Sequence, residues 1–579
     1  MNCNRLKKVI LPCVVLAGTL ALTGCMDDGY DFNEVDMTVG IGGDGLSLPV
    51  SSTDTIKLED VLELDGSESV VVKDNGDYVF EQTGDDVAPV HPAIDPIVVS
   101  QAGAPEAGEI VISAVPAVGG GYYEITAGGR AQSFTYTGSK PDEVLSLTSV
   151  GVDGAISFTV EFPRELSQAV PTVDRLTVTL PSYMQLDNAG QGTDGHTLVY
   201  TDVPTTASLT VDVPISSLDF TVSGQGNDRL AIEGDRIVMA GDIRVDVSAT
   251  ASTAAGVDGS RITSSMRMDD ITVTSAYGKF NPDIDLNELG NVEITGVPDF
   301  LTDGNVVVDL YNPQILLTVT NDMAIGGVIN GVITSHKEGN DPVSIPVNGI
   351  NVKPSGTTNV CICRRAEAVD ATLYDQVLPI ANLSDLISTI PDNITFDAEA
   401  TADSKTDGSF DFGKQYTIQP NYRIEAPITF DADARIVYKD TLDGWNDDIS
   451  DFELAEDSYV SMSATVENRV PAYLDLQVSA VDIDGNVMSE NDITVEVSTT
   501  VLASADGENS AETPLTVNIR QKSESAFSRL DGLVFNVEAR ASEDGQNPVV
   551  GKTLNAKKHF IIARDINVKL VGKVIGDFN

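Results

Sequence analysis

The chain has 579 residues, 35 Lys and Arg against 88 Asp and Glu, and a formal net charge of −53. Such a surface repels phosphate backbones and anionic lipid headgroups, which excludes nucleic acid as a partner. Five cysteines in 579 residues exclude a disulfide scaffold, so size has to supply the core. In chain order, the first feature is a leader. Arg5, Lys7 and Lys8 precede an apolar run from Val9 to Leu22, about 14 residues, within the signal-peptide range and too short for a spanning helix of roughly 20. It closes on Leu22-Thr23-Gly24-Cys25. Next comes the acidic stretch Met26-Asp27-Asp28-Gly29-Tyr30-Asp31.

Beyond the leader, alternation with period two dominates. Ile156-Ser157-Phe158-Thr159-Val160, Leu176-Thr177-Val178-Thr179-Leu180 and Ile493-Thr494-Val495-Glu496-Val497 each place apolar residues on one face of a strand and polar ones on the other. Turn chemistry separates the strands. Asp74-Asn75-Gly76-Asp77 and Asp482-Ile483-Asp484-Gly485-Asn486 predict hairpin turns, where Asn-Gly and Asp-Gly supply positive φ. The second turn superficially resembles the start of a calcium loop. Counted from Asp482, however, its glycine comes fourth instead of sixth, and its twelfth residue is Ile493 instead of a glutamate. One helix is predicted at 382–390, with Asn382 as N-cap, apolar residues at i, i+3, i+4 and i+7 from Leu383, and Pro391 as the stop. It either plugs the end of a sandwich or covers an apolar cavity as a lid.

The Leu22–Cys25 tetrapeptide resembles the lipobox of bacterial lipoproteins. That resemblance implies cleavage before Cys25, a diacylglycerol on its thiol and an acyl chain on the freed amine. Two or more chains give stable anchoring where one does not. The mature chain then has 555 residues, with 32 basic residues against 88 acidic ones and a net charge of −56. The acidic stretch after Cys25 resembles the surface-export signal of Bacteroidota lipoproteins. Expected localisation is therefore the outer membrane, lipid-anchored and facing outward.

Cys3 and Cys13 leave with the leader, so Cys361 and Cys363 remain as thiols. Val360-Cys361-Ile362-Cys363 reads as a strand with both thiols on one face. A bond between them would strain it, so two buried thiols are expected. No second cysteine pair accompanies them, and the four histidines lie far off in sequence, so no metal is assigned.

Two segments read alike. Val247–Ser252, Asp270–Val273 and Tyr277–Phe280 match Val537–Ser542, Asp565–Val568 and Val571–Val574 in order and nearly in spacing. A second echo joins Val319-Thr320-Asn321 to Val466-Glu467-Asn468, where Asn is expected to turn the chain at a strand end. Tyr311-Asn312-Pro313 resembles the late-embryogenesis, desiccation-related β-sandwich family over about 30 residues, and no function is carried over. The fold expected is all-β, several tandem antiparallel sandwich-like domains with an internal duplication. The expected boundaries are a signal peptide at 1–24, an N-terminal β-domain with acidic tether at 25–140, repeat copy one at 141–290, a middle domain with the short helix at 291–455 and repeat copy two at 456–579.

No Gly-rich phosphate loop, HExxH helix or Gly-x-Ser-x-Gly elbow appears. The densest acidic cluster, Asp440, Asp443, Asp447, Asp448 and Asp451, surrounds the only tryptophan, Trp445. It reads as a solvated loop with one packed aromatic, set against a calcium site or a sugar-stacking platform. Asp54-Thr55-Ile56 and Asp440-Thr441-Leu442 resemble the Bacteroidota O-glycosylation pattern. Cys25 is thus the one assigned site residue, for lipid attachment. No catalytic residue and no cofactor are assigned. The function expected is non-catalytic binding or assembly at the cell surface, with an envelope protein or a glycan as partner. The alternatives are a carrier of lipid or another apolar ligand, and a glycoside-active enzyme.

Overall fold

The computed structural model describes residues 39–49, 52, 55–58, 69–84, 87–187, 194–222, 224, 226–286, 288–297, 306–450, 452–543 and 549–576. The protein is nearly all β, in sheets that are antiparallel but for one strand pair. This is the class that its period-two alternation predicts.

The largest sheet is built from residues 97–280. Its long strands are interrupted by bulges. Ile97–Gln101, Glu106–Ala107 and Ile110–Pro116 follow one another along the same edge of Tyr123–Ser139. On their other side they meet Arg261–Met268 and Ile271–Phe280, which likewise succeed each other. Alternation sets the core here: in Arg236–Ala251, Ile237, Met239, Ile243, Val245 and Val247 are buried. A register shift between Ile243 and Arg244 marks one bulge in the pairing of this strand with Tyr123–Ser139.

Two sandwiches follow. The first packs the sheet ordered Gln376–Pro379, Gly356–Cys363, Gln314–Asn321, Ile418–Pro427, Tyr78–Thr83, Val70–Val72 against the sheet ordered Glu288–Glu293, Asn393–Ala402, Gly327–His336, Val343–Val352. The second packs Val39–Pro49, Phe560–Gly576, Tyr459–Asn468, Ala511–Gln521, Ile493–Val497 against Arg435–Leu442, Leu530–Arg540, Tyr473–Asp482. Pairing crosses the segment boundaries expected from the sequence. Residues 39–49, 52 and 56–57 join the C-terminal sandwich, and Val70–Val72 and Tyr78–Thr83 join the middle one.

The two sandwiches share a hydrogen-bond plan at one corner. Buried Asn321 and Asn468 each end a strand. The Asn321 side chain accepts the Met323 N–H at 3.0 Å and donates to the Ile325 and Lys353 carbonyls, both at 2.9 Å. Asn468 accepts the Val470 N–H at 2.9 Å and donates to the Ala472 and Leu502 carbonyls, both at 3.0 Å. The Lys353 and Leu502 N–H groups in turn donate to buried Thr358 and Thr513, each at 2.9 Å. The expected turn role of asparagine therefore holds at both positions, and the strand order Gly356–Cys363, Gln314–Asn321, Ile418–Pro427 is matched by Ala511–Gln521, Tyr459–Asn468, Phe560–Gly576. The other echo, 247–280 with 537–574, also falls on strands. Its first copy lies within one sheet, whereas its second is divided between the two sheets of the C-terminal sandwich.

Both predicted turns form. Gly76 and Gly485 have φ of 95° and 76°, and Asp482 accepts the N–H groups of Asp484 and Asn486. The predicted helix is instead a 3-10 helix, Leu383–Ile387, and the Asn382 side chain makes no cap bond. Its stripe is buried as expected at Leu383, Leu386, Ile387 and Ile390. A segment this short, pinned by the Ile380 and Asn382 carbonyls, closes i→i+3 bonds.

Candidate functional site

Cys25 and the acidic stretch 26–31 lie outside the described residues. Thirteen residues separate Cys25 from Val39, a contour of at most about 50 Å. From there the chain runs straight onto the C-terminal strand. Val39 pairs with Gly576, Pro49 with Asn567, Ser52 with Arg564 and Ile56 with Ile561. Whatever holds Cys25 thus holds the C-terminal sandwich first.

Next in line is the middle sandwich, joined through a polar junction. Asp431, 7% exposed, takes ion pairs from Arg364 at 3.0 Å and from Arg365. Arg364 also pairs with Asp309 at 2.7 Å. The Arg365 guanidinium lies 4.1 Å from the centre of the Tyr311 ring, and the Arg365 backbone N–H donates to Asn312 Oδ1 at 2.7 Å. Gly551, φ 78°, also meets that ring, and a Cβ there would come within 3.2 Å of it. Thr429 and Thr553 share a hydroxyl bond of 2.7 Å, and Asn555 donates to Asp77 at 2.8 Å. The Tyr-Asn-Pro stretch noticed in the sequence is therefore a joint between sandwiches. Its arginines were not singled out, although Arg364-Arg365 is an adjacent basic pair in an acidic chain.

The middle sandwich meets the 97–280 sheet through Gly408–Asp411, which pairs with residues 275–278 of Ile271–Phe280. Aromatics seal that contact. Phe280 and Phe410 lie 5.5 Å apart, and Phe410 and Tyr416 lie 4.9 Å apart. These contacts order the modules as C-terminal sandwich, middle sandwich, then the 97–280 sheet.

The short helix closes an apolar cavity lined by Phe80, Leu310, Ile387, Ile390, Ile424 and Phe430, among others. Its volume is about 20 Å³, which is space for about one water and none for an acyl chain. A second apolar cavity, around Ile284 and Met323, is no larger.

Cys361 and Cys363 are buried and unbonded. Together with Leu316 they form a small cluster against Ala366, Val369, Tyr374 and Val377. Val360 and Ile362 face the main core. This strand is apolar on both faces because the following segment folds back over it and adds Gln376–Pro379 as a parallel neighbour. The thiols interact: the hydrogen bond that the Cys361 thiol donates to Cys363, together with burial, pushes the Cys361 thiol up.

The densest polar network among the described residues of the 97–280 sheet surrounds Asp242, 6% exposed. Its carboxylate accepts from Ser133 Oγ at 2.5 Å and from Asn227 at 3.3 Å, and Arg130 donates to Ser133 at 2.9 Å. The Asp242 N–H donates to Asp228 at 3.1 Å, and burial raises the Asp228 pKa above the ordinary carboxylate value. This network staples the bulge between the two longest strands of the sheet.

Trp445 is 8% exposed and packs with Ile449, Leu454, Phe527 and Leu530. The Asp531 carboxylate accepts the N–H groups of Gly444 and Asn446, at 3.1 and 2.9 Å, which pins the loop. The packed-aromatic reading holds, and the ring offers no face for a sugar. The side chains of Asp440, Asp448 and Asp451 lie outside the described residues. Among the described residues, no group of three or more His, Cys, Asp or Glu is placed to hold a metal ion.

No protein-family model matches the chain, and no curated protein matches it. Among solved structures, it is similar to a protein from Parabacteroides distasonis described as secreted. The identity is 15%, the match covers 51% of this chain and 89% of that one, and the TM-score is 0.35. It is also similar to the VP2 subviral particle protein of infectious bursal disease virus. There the identity is 8%, the coverage 88% of this chain and 86% of that one, and the TM-score 0.13.

Proposed function

We propose that the chain is a non-catalytic lipoprotein of the outer membrane, anchored through Cys25, which holds binding or assembly modules at the cell surface. The observation that carries this reading is the order of the modules relative to the lipobox. The strand just after the tether lies on the C-terminal sandwich, the bridges Asp77–Asn555 and Thr429–Thr553 join that end of the chain to the middle sandwich, and Gly408–Asp411 pairs with the 97–280 sheet. An anchor at Cys25 presents that sheet away from the membrane. A net charge of −56 keeps it off anionic headgroups and phosphate, so its partner is an envelope protein or a glycan and not nucleic acid. Neither of the two apolar cavities described above has space for an acyl chain, so they give the alternative of a lipid carrier no support.

Metabolic labelling with a fatty-acid analogue tests the anchor. Label on the wild-type chain and none on Cys25→Ala is expected, because residue 25 supplies the thiol that receives the diacylglycerol. Undiminished label on Cys25→Ala overturns the assignment. Native mass spectrometry of protein from its own host addresses the carrier alternative, which a stoichiometric bound lipid would restore.

A further inference from the structure

We propose that Val39–Pro49 is an exchangeable strand, which leaves the edge of its own Phe560–Gly576 strand and completes the C-terminal sandwich of a second copy in the same membrane. This rests on the assembly reading and names its partner: another copy of this chain.

The two strands that the N-terminal segment contributes are held very differently. Tyr78–Thr83 is internal, flanked by Val70–Val72 and Ile418–Pro427, with Tyr78, Val79 and Phe80 buried. Val39–Pro49 ends its sheet, with no strand on its outer side among the described residues. It is also rich in glycine, at positions 40, 42, 43 and 45. Glycine in a strand gives up packing and costs backbone entropy. Its register along Phe560–Gly576 shifts between Gly43 and Leu46. Gly-rich strands of this kind specify register weakly and are prone to alternate pairing and swapping.

The acceptor is durable in comparison. Phe560–Gly576 is paired over most of its length on its other side, by Tyr459–Asn468 and Phe452–Leu454. Removing Val39–Pro49 therefore leaves a 17-residue strand in place with a row of backbone groups open, a ready template for the same segment from elsewhere. The bonds made in the exchanged and closed forms are the same. What separates them is the effective concentration of the tied strand, on the order of millimolar for short linkers. Twelve residues lie between Lys57 and Val70, a reach of at most about 40 Å. Anchoring at Cys25 keeps the edges of neighbouring copies at one height, so lateral crowding competes directly with the closed form.

Lys569 provides the test, because it lies opposite Ser47 on one side and Ser461 on the other. Directly opposed antiparallel residues have Cα separations that suit a disulfide. Full-length acylated S47C, S461C, S113C and K569C chains are reconstituted in vesicles and oxidised in pairs. Exposed Ser113, on the 97–280 sheet, sets the background of random collision. Exchange predicts linked heterodimers from S47C with K569C at least fivefold above both S461C with K569C and S113C with K569C, falling as the vesicles are diluted with lipid. Equal yields in the three mixtures overturn the proposal. Failure of S47C/K569C within one chain to close internally also overturns it, since the strand is then not on this edge. Neither failure touches the reading as an anchored surface lipoprotein, which the Cys25 labelling and protease shaving decide separately.

Discussion

Asn468→Ala removes the brace at the corner of the C-terminal sandwich. Asn468 is 0% exposed, and its amide serves three backbone groups: the Val470 N–H and the Ala472 and Leu502 carbonyls. Alanine leaves all three buried without that partner. At about 1–3 kcal/mol for each unsatisfied group, with water reaching some of them on relaxation, the loss is about 3–5 kcal/mol. The only tryptophan makes the assay local, because Trp445 lies in the apolar cluster of this same sandwich. Guanidinium unfolding followed by its fluorescence should shift its midpoint down by about 1 M, taking a slope of roughly 4 kcal/mol/M for a domain of this size. Asn321→Ala breaks the equivalent brace in the middle sandwich and should leave the tryptophan transition close to wild type. Exposed Asn491→Ala sets the baseline, within about 0.5 kcal/mol. A midpoint for Asn468→Ala within about 0.2 M of wild type would refute the argument.

Arg365→Lys should destabilise the junction nearly as much as Arg365→Ala, by about 2–4 kcal/mol, since an ammonium cannot both stack on Tyr311 and pair with Asp431 as the planar fork does; calorimetry of the two variants checks this. In a chain beginning after Cys25, a thiol reagent should modify neither Cys361 nor Cys363 under native conditions and both in denaturant; fast native labelling would contradict their burial. His559 is held neutral by burial, accepting the Asn555 N–H at Nδ1 and facing the Gly507 carbonyl at Nε2. Its folded pKa is depressed, so its contribution is present above the unfolded value near 6.5 and is lost as pH falls below it, at no more than about 1.4 kcal/mol per pH unit. Tryptophan-detected stability between pH 7.5 and 5 should show this slope, and His559→Gln should flatten it.

Strand content was legible because alternation is a local property: Ile156, Phe158 and Val160 are buried in the order their spacing dictates. The turns at Gly76 and Gly485 and the asparagine corners were legible for the same reason, since each is decided within about five residues. Pairing was not. Nothing within Val39–Pro49 states that its partner lies more than 500 residues away, and nothing in Val70–Val72 points to the middle sandwich. The four-residue buried run Val360–Cys363 did carry a signal, since a strand without polar alternation is covered on both faces. The helix at 383–387 was legible in its buried stripe but not in its geometry, which the neighbouring carbonyls decide. The junction stayed hidden because Asp309, Tyr311, Arg365, Asp431 and Gly551 become one site only after folding.

Protease shaving of intact host cells tests the central claim most directly. A lipid-anchored chain facing outward, with the C-terminal sandwich nearest the membrane, predicts loss of full-length protein from unbroken cells while periplasmic markers stay whole. Complete protection of the chain until the cells are lysed would contradict it.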